Sequence, residues 1–280
     1  MEKKFLLASA FLVVIFLLFC AGGCEIPKAK FERTVQLSSP LSAGHSFKAE
    51  THNGAITVEG REEEGCEVKA VITGRASSTE TAKDIADRTK VELKNSDNKI
   101  TVEIKKPTLG MYESVSVSLD AKVPHKTNIL LLGSHNGAVT VSNIQGKIDS
   151  STHNGRIKAS DVSGETKLKT HNGAVICDEI SGNAWMTTHN GSIKTSYAAD
   201  APSVCEISLR TYNGSIDLKT PPHISAAVDV STHNGSIKND LPITVTDKVS
   251  KLGNRRFQGK IGEGLGKLEL STHNGSIKIH

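Results

Sequence analysis

Thr152-His153-Asn154-Gly155 returns as Thr170-His171-Asn172-Gly173 and again as Thr188-His189-Asn190-Gly191, each time 18 residues further on. Ser134-His135-Asn136-Gly137 precedes the three at the same spacing. Beyond them stand Thr211-Tyr212-Asn213-Gly214, Thr232-His233-Asn234-Gly235 and Thr272-His273-Asn274-Gly275, at intervals of 23, 21 and 40. An isolated copy, Thr51-His52-Asn53-Gly54, lies far upstream. A fixed period of this size marks a solenoid, in which each repeat buries its apolar side only by stacking on its neighbours.

The residues between two copies describe one coil. Asn154-Gly155 reads as a tight corner, since both residues tolerate left-handed backbone angles. Ile157 and Ala159 then point inward, while Arg156 and Lys158 point outward. Val162-Ser163-Gly164 makes a second corner, matched by Ile144-Gln145-Gly146 and Ile180-Ser181-Gly182. Thr166, Leu168 and Thr170 return inward. Parallel stacking at about 4.8 Å per coil spreads the seven corners from Asn136 to Asn274 over roughly 29 Å. The longer intervals place extra residues on the side of the second corner, at 196–202, 221–223 and 239–264. Insertions gathered on one side of a solenoid often build its binding surface. The last carries Arg255, Arg256 and Phe257, and reads equally as a binding loop or as a cap on the final coil. Without such a cover, the closing strand at 276–280 is an exposed edge.

Residues 34–133 alternate like strands without the period, most strictly in Ser114-Val115-Ser116-Val117-Ser118-Leu119. One segment differs. Ala82, Ile85, Ala86 and Thr89 recur at helical spacing, and Ser77 with Glu80 forms a capping box, which predicts one short helix covering a sheet face or the solenoid's start. The expected fold is all-β: a parallel β-solenoid of about 18-residue coils over 134–280, continuous with an irregular β region at 34–133 that carries the helix. Aromatic residues make up only 4%, which suits a core of Val, Ile, Leu and Ala.

Lys3 and Lys4 precede an apolar run at 5–19, followed by Cys20-Ala21-Gly22-Gly23-Cys24. This is the pattern of a secretory signal peptide at 1–23. Ala21-Gly22-Gly23-Cys24 resembles the bacterial lipobox, which implies a lipid on Cys24 and a membrane tie through it. An uncleaved membrane anchor is the alternative. Residues 24–33 then form a short tether, and the folded part sits outside the cytoplasm, close to a membrane. Three further cysteines, Cys66, Cys177 and Cys205, form no disulfide framework. Buried thiols are the default and a Cys177–Cys205 bridge the alternative. A net charge of +4 does not argue for nucleic acid.

Repetition lines up chemistry in columns. Counting alternately from Leu168 and Thr170 puts Asn172 inward and His171 outward. Asn136, Asn154, Asn172, Asn190, Asn213, Asn234 and Asn274 then form a structural amide ladder. His135, His153, His171, His189, His233 and His273 form an outward column, a possible binding surface, flanked by Lys158, Lys194, Lys238 and Lys278. Neighbouring imidazoles could share a Zn, Ni or Cu ion, but a flat column does not converge on a point and Tyr212 interrupts it. No dedicated metal site and no cofactor are expected. The motifs of serine hydrolases, zinc proteases and phosphate-binding loops are absent, and no carboxylate pair is set at a common point, so no enzyme is expected.

With the Thr-His-Asn-Gly-x-Ile units, the run from Val117 to Pro124, and the closing Leu268-Glu269-Leu270-Ser271-Thr272-His273-Asn274-Gly275-Ser276-Ile277, the chain resembles the putative-adhesin family of bacterial β-strand-repeat proteins from about residue 35 onward. The resemblance implies the fold and supplies no catalytic residues. The function expected is a non-enzymatic, lipid-anchored envelope protein that binds another envelope protein or a glycan. A polysaccharide-binding or polysaccharide-cleaving β-helix is the alternative, and a metal-binding surface protein using the histidine column is a third.

Overall fold

The computed structural model describes residues 29–251 and 253–280. The signal peptide at 1–23 and Cys24 lie outside the described residues. The tether at 24–33 lies outside only as far as 28, because a strand begins at Ala29.

The described residues hold 23 strands and one helix. The chain opens with β1 (Ala29–Ser39), β2 (Ser46–Asn53), β3 (Ile56–Arg61), β4 (Cys66–Ala76), α1 (Thr79–Arg88), β5 (Lys90–Ser96), β6 (Lys99–Lys105) and β7 (Ser114–Pro124). The regular part follows: β8 (Asn128–Asn136), β9 (Val139–Gln145), β10 (Ile148–Thr152), β11 (Ile157–Ser163), β12 (Thr166–Thr170), β13 (Val175–Ser181), β14 (Ala184–Asn190) and β15 (Ile193–Tyr197). Last come β16 (Glu206–Asn213), β17 (Ile216–Lys219), β18 (Ala226–Asn234), β19 (Ile237–Asn239), β20 (Thr244–Lys251), β21 (Asn254–Ile261), β22 (Gly266–Asn274) and β23 (Ile277–Ile279).

Each coil lays one strand in a 12-stranded sheet, turns at Asn-Gly, and lays the next in an 11-stranded sheet. Between β8 and β17 every lateral neighbour is parallel, and residues 18 apart are paired, as in Ile157↔Val175 and Leu168↔Met186. The inward side chains of both sheets, among them Ile157, Ala159, Val162, Leu168 and Met186, form one buried core between them. This is the expected all-β solenoid.

The stack does not follow chain order at either end. β2 and β3 pair with β8 and β9, so residues 46–61 are a full coil in register, Asn53 opposite Asn136. Outside it, β6 and β7 make a further parallel coil without the tetrapeptide. The stacked region therefore starts well before residue 134; the period hides this because 62–127 build the outer coil and its cover before the chain rejoins at β8. At the other end β22 and β23 slot between β16–β17 and β18–β19, pairing in parallel on both sides. The expected exposed strand at 276–280 is thus interior.

Antiparallel strands close the ends. β4 and β1 continue the sheet beyond β7, and β5 covers β6. Of the two readings of the long insertion at 239–264, the cap is the one that fits, since it covers the outermost coil strand of the 12-stranded sheet. It folds as the hairpin β20–β21, antiparallel along β18, with Phe257 half-buried against the core. Strand edges left bare would template association with other chains, and these additions cover all but short or charged ones.

Helix α1 packs its buried Ala82, Ile85 and Ala86 on β4 and β1. Ser78, not Ser77, is its N-cap, accepting from the Thr81 N–H at 3.1 Å. Arg33 Nη2 donates to the carbonyls of Ala86 and Thr89 near its other end. Gly74 lets the helix sit this close, since a Cβ there would lie 2.1 Å from the Ala82 carbonyl oxygen. Cys66, Cys177 and Cys205 are buried free thiols, so the Cys177–Cys205 bridge does not form. Instead Cys177 Sγ lies 3.6 Å from the Met186 sulfur.

Candidate functional site: the histidine comb and its groove

The four residues of the repeat have four distinct environments. The buried threonine donates its hydroxyl to the glycine carbonyl of the neighbouring tetrapeptide: Thr152 to Gly137, Thr170 to Gly155 and Thr188 to Gly173, each at 2.9 Å. The asparagine amides run unbroken up the stack. Asn154 Nδ2 donates to Asn136 Oδ1, Asn172 to Asn154 and Asn190 to Asn172, all at 2.8 Å. At the far end Asn213, Asn274 and Asn234 continue the line in that spatial order. Alternation places Asn172 inside; the structure places it on the exposed rim of the corner, because the strand ends at Thr170 and the inward–outward count stops there.

The glycine is also there for a different reason than expected. Among the tetrapeptide glycines only Gly54 has a left-handed φ, +142°. At Gly155 and Gly173 a Cβ would fall 2.0 Å from the preceding glycine's carbonyl oxygen, so stacking itself excludes a side chain. Left-handed angles belong to the second corner, at Gly164 and Gly182.

The histidine side chains meet those of the next coil by stacking, while their backbone carbonyls accept from the next asparagine N–H, as His135 does from Asn154. Centroids are 4.8 Å apart from His52 through His135, His153 and His171 to His189, and the last two pairs lie within 3° of parallel. Tyr212 takes its place in the pile at 4.9 Å from His189 and 4.7 Å from His273, with His233 last. His135, His153, His171, His189 and His233 are exposed, and His273 is half-exposed. At the N-terminal end the His52 imidazole is held below its ordinary pKa, first by partial desolvation and then by the charges of Lys106 and His135. Ring-nitrogen lone pairs lie in the ring plane, so parallel rings point them in parallel. Neighbours in this comb do not converge on one ion.

Two residues before each histidine, register aligns Glu50, Gly133, Ser151, Lys169 and Thr187 on the same outer face. Small side chains at Gly133 and Ser151 leave a groove of about 740 Å³ between this column and His135, His153, His171 and His189. Thr187 also belongs to a second hollow of about 330 Å³, walled by Trp185, Glu206, Arg210, Lys267 and Glu269. Sequence reasoning passed over Trp185. Its signal was alternation, since Ala184 and Met186 are buried and Trp185 faces out. On the outside of the other sheet Lys158, Lys194, Lys278 and Lys238 share one column, broken by Ile176 and Asp217.

The family model described as Toastrack DUF4097 matches residues 24–280. No curated protein matches the chain. Among solved structures, one described as a "putative cell adhesion protein" from Clostridium sporogenes is 10% identical, with 88% of this chain and 99% of that one covered and a TM-score of 0.35. A "putative adhesin" from Parabacteroides merdae is 10% identical over 88% of this chain and 96% of its own, at 0.39. A "putative lipid binding protein" from Parabacteroides distasonis is 9% identical with the same coverage and score.

Proposed function

The chain belongs to the Toastrack DUF4097 family, and on that premise we propose that it is a non-enzymatic binding protein of the bacterial cell envelope. In this reading Cys24 carries the lipid that holds it at a membrane, the solenoid stands on the outer side, and the groove beside the histidine comb takes the partner. One observation carries the reading. Threonine, asparagine and glycine are each fixed by a specific contact to the next coil, whereas the histidine side chain adds only stacking and is exposed to solvent. A scaffold alone needs no row of imidazoles beside an open groove.

Chemistry on a bound substrate has little support. Glu50 is the one carboxylate lining the groove, and glycoside cleavage requires two.

Sedimentation with isolated envelope fragments tests the proposal. Replacing His135, His153, His171 and His189 together by Ser is expected to weaken binding of the full chain about tenfold. Equal binding by the native chain and the variant refutes the assignment.

A further inference from the structure

Trp185 is the chain's one tryptophan, and it stands on the outer face of the 12-stranded sheet, away from the core. Register sets it between Lys167 and Ser208, with Glu269 one strand further. An indole in that position does not build the core. Half-buried there, it lines the hollow with apolar ring surface and one N–H donor. The groups around it are held in place. Arg210 Nη2 donates to Glu269 Oε1 at 2.6 Å, and Lys267 Nζ lies 3.3 Å from Glu269 Oε2. An aromatic plate ringed by oriented donors and acceptors suits a pyranose, whose C–H face stacks while its hydroxyls take hydrogen bonds.

The Trp185 hollow and the histidine groove lie side by side on this face, with Thr187 lining both. That groove crosses the strands, offering an imidazole edge at each 4.8 Å step from His135 to His189, with Ser151, Lys169 and Thr187 opposite. A ligand that fills it is extended and repeats its hydrogen-bonding groups at about the rise of a coil. A linear chain of equatorially linked pyranoses does so. An extended peptide steps about 3.3 Å per residue and pairs along a strand edge, not across a paired sheet. With Glu50 and Lys169 both in the lining, the groove has no single-sign field to favour a polyanion.

We propose that this face binds a linear polysaccharide laid across the strands, with about one sugar per coil along the groove and one sugar stacked on Trp185. The inference rests on the groove being the partner site, and it names the partner's chemistry.

A single tryptophan makes the test direct, because all indole emission comes from the proposed site. The full chain in detergent micelles is titrated with β-1,4-linked hexamers of N-acetylglucosamine and of glucose, followed by fluorescence and calorimetry. At least one hexamer should shift Trp185 emission saturably and bind more tightly than its own dimer. Trp185→Ala should bind that hexamer about tenfold more weakly, and Trp185→Phe, which keeps a ring face, should retain most of the affinity. Arg210→Ala, followed by calorimetry, tests the same hollow if Trp185→Ala fails to fold. Neither hexamer producing a saturable change overturns the proposal, as does undiminished binding by Trp185→Ala, or by Arg210→Ala where it stands in. If envelope fragments still bind in a comb-dependent way while both hexamers fail, the glycan assignment falls and the groove assignment stands.

Discussion

Gly173 shows how closely one residue can set the spacing of the whole pile. A methyl group added there meets the Gly155 carbonyl oxygen at 2.0 Å, against backbone that belongs to the next coil and cannot swing away. Gly173→Ala is expected to cost about 3 kcal/mol or more, read as a fall in the urea midpoint. Thr170→Val keeps the shape and removes the hydroxyl bond to Gly155, for about 1–2 kcal/mol on the same scale. Burial pushes the Cys66 thiol up to about 12 and the Cys205 thiol up to about 11. Neither should react with an aromatic disulfide reagent until the chain unfolds, and fast labelling at either would contradict their burial. These residues also mark how much of the site could be read in advance. The histidine column was legible because identical residues at one period must align. The role of glycine was not, because Asn-Gly is the signature of a left-handed turn as much as of close approach, and only the neighbouring coil distinguishes them. Trp185 carries no such signal, because it occurs once and lies outside the recurring tetrapeptide.

The added hairpin is where an element's attachment can be tested by pH. Asp229 on β18 accepts from Arg256 Nε and Gln258 Nε2 on β21, each at 2.9 Å. Those bonds, that to Arg256 first, hold its carboxyl below the usual range. The folded form therefore binds its proton at lower pH than the unfolded one. The resulting stability is present above about pH 4, the unfolded value, and is lost as pH falls below it. Amide exchange in β21 should accelerate in that acid range ahead of β12, and Asp229→Asn should show the faster exchange at neutral pH. The hairpin itself escaped a reading as strands. Its second strand carries Arg255, Arg256, Gln258 and Lys260, sets only Phe257 and Ile261 against the core, and lacks the strict apolar alternation of 114–119. Helix α1 did not escape, since its three buried positions fall on one helical face whichever serine caps it.

For the whole molecule, the period supplies the shape of each coil but not its place in the pile. Any Thr-His-Asn-Gly can lie on any other, so pairing by likeness is degenerate. The chain uses that freedom by setting β22–β23 between coils that precede it in sequence. Both edges of this segment are bonded, so removing 266–280 leaves β16 and β18 with no partner between them. Such a truncation is expected to lose the single cooperative unfolding transition and to aggregate on refolding, as seen by calorimetry and light scattering. Native-like melting of the shortened chain would show that β16 and β18 can join directly.

Order in time therefore differs from order in space. Gly266–Ile279 is made after both of its neighbours, yet it fills a berth one strand wide in each sheet, bonded on both sides. The latest arrival fastens the solenoid like a keystone set from the side, and what fits that berth is dictated by backbone groups and one short motif that the chain carries many times over.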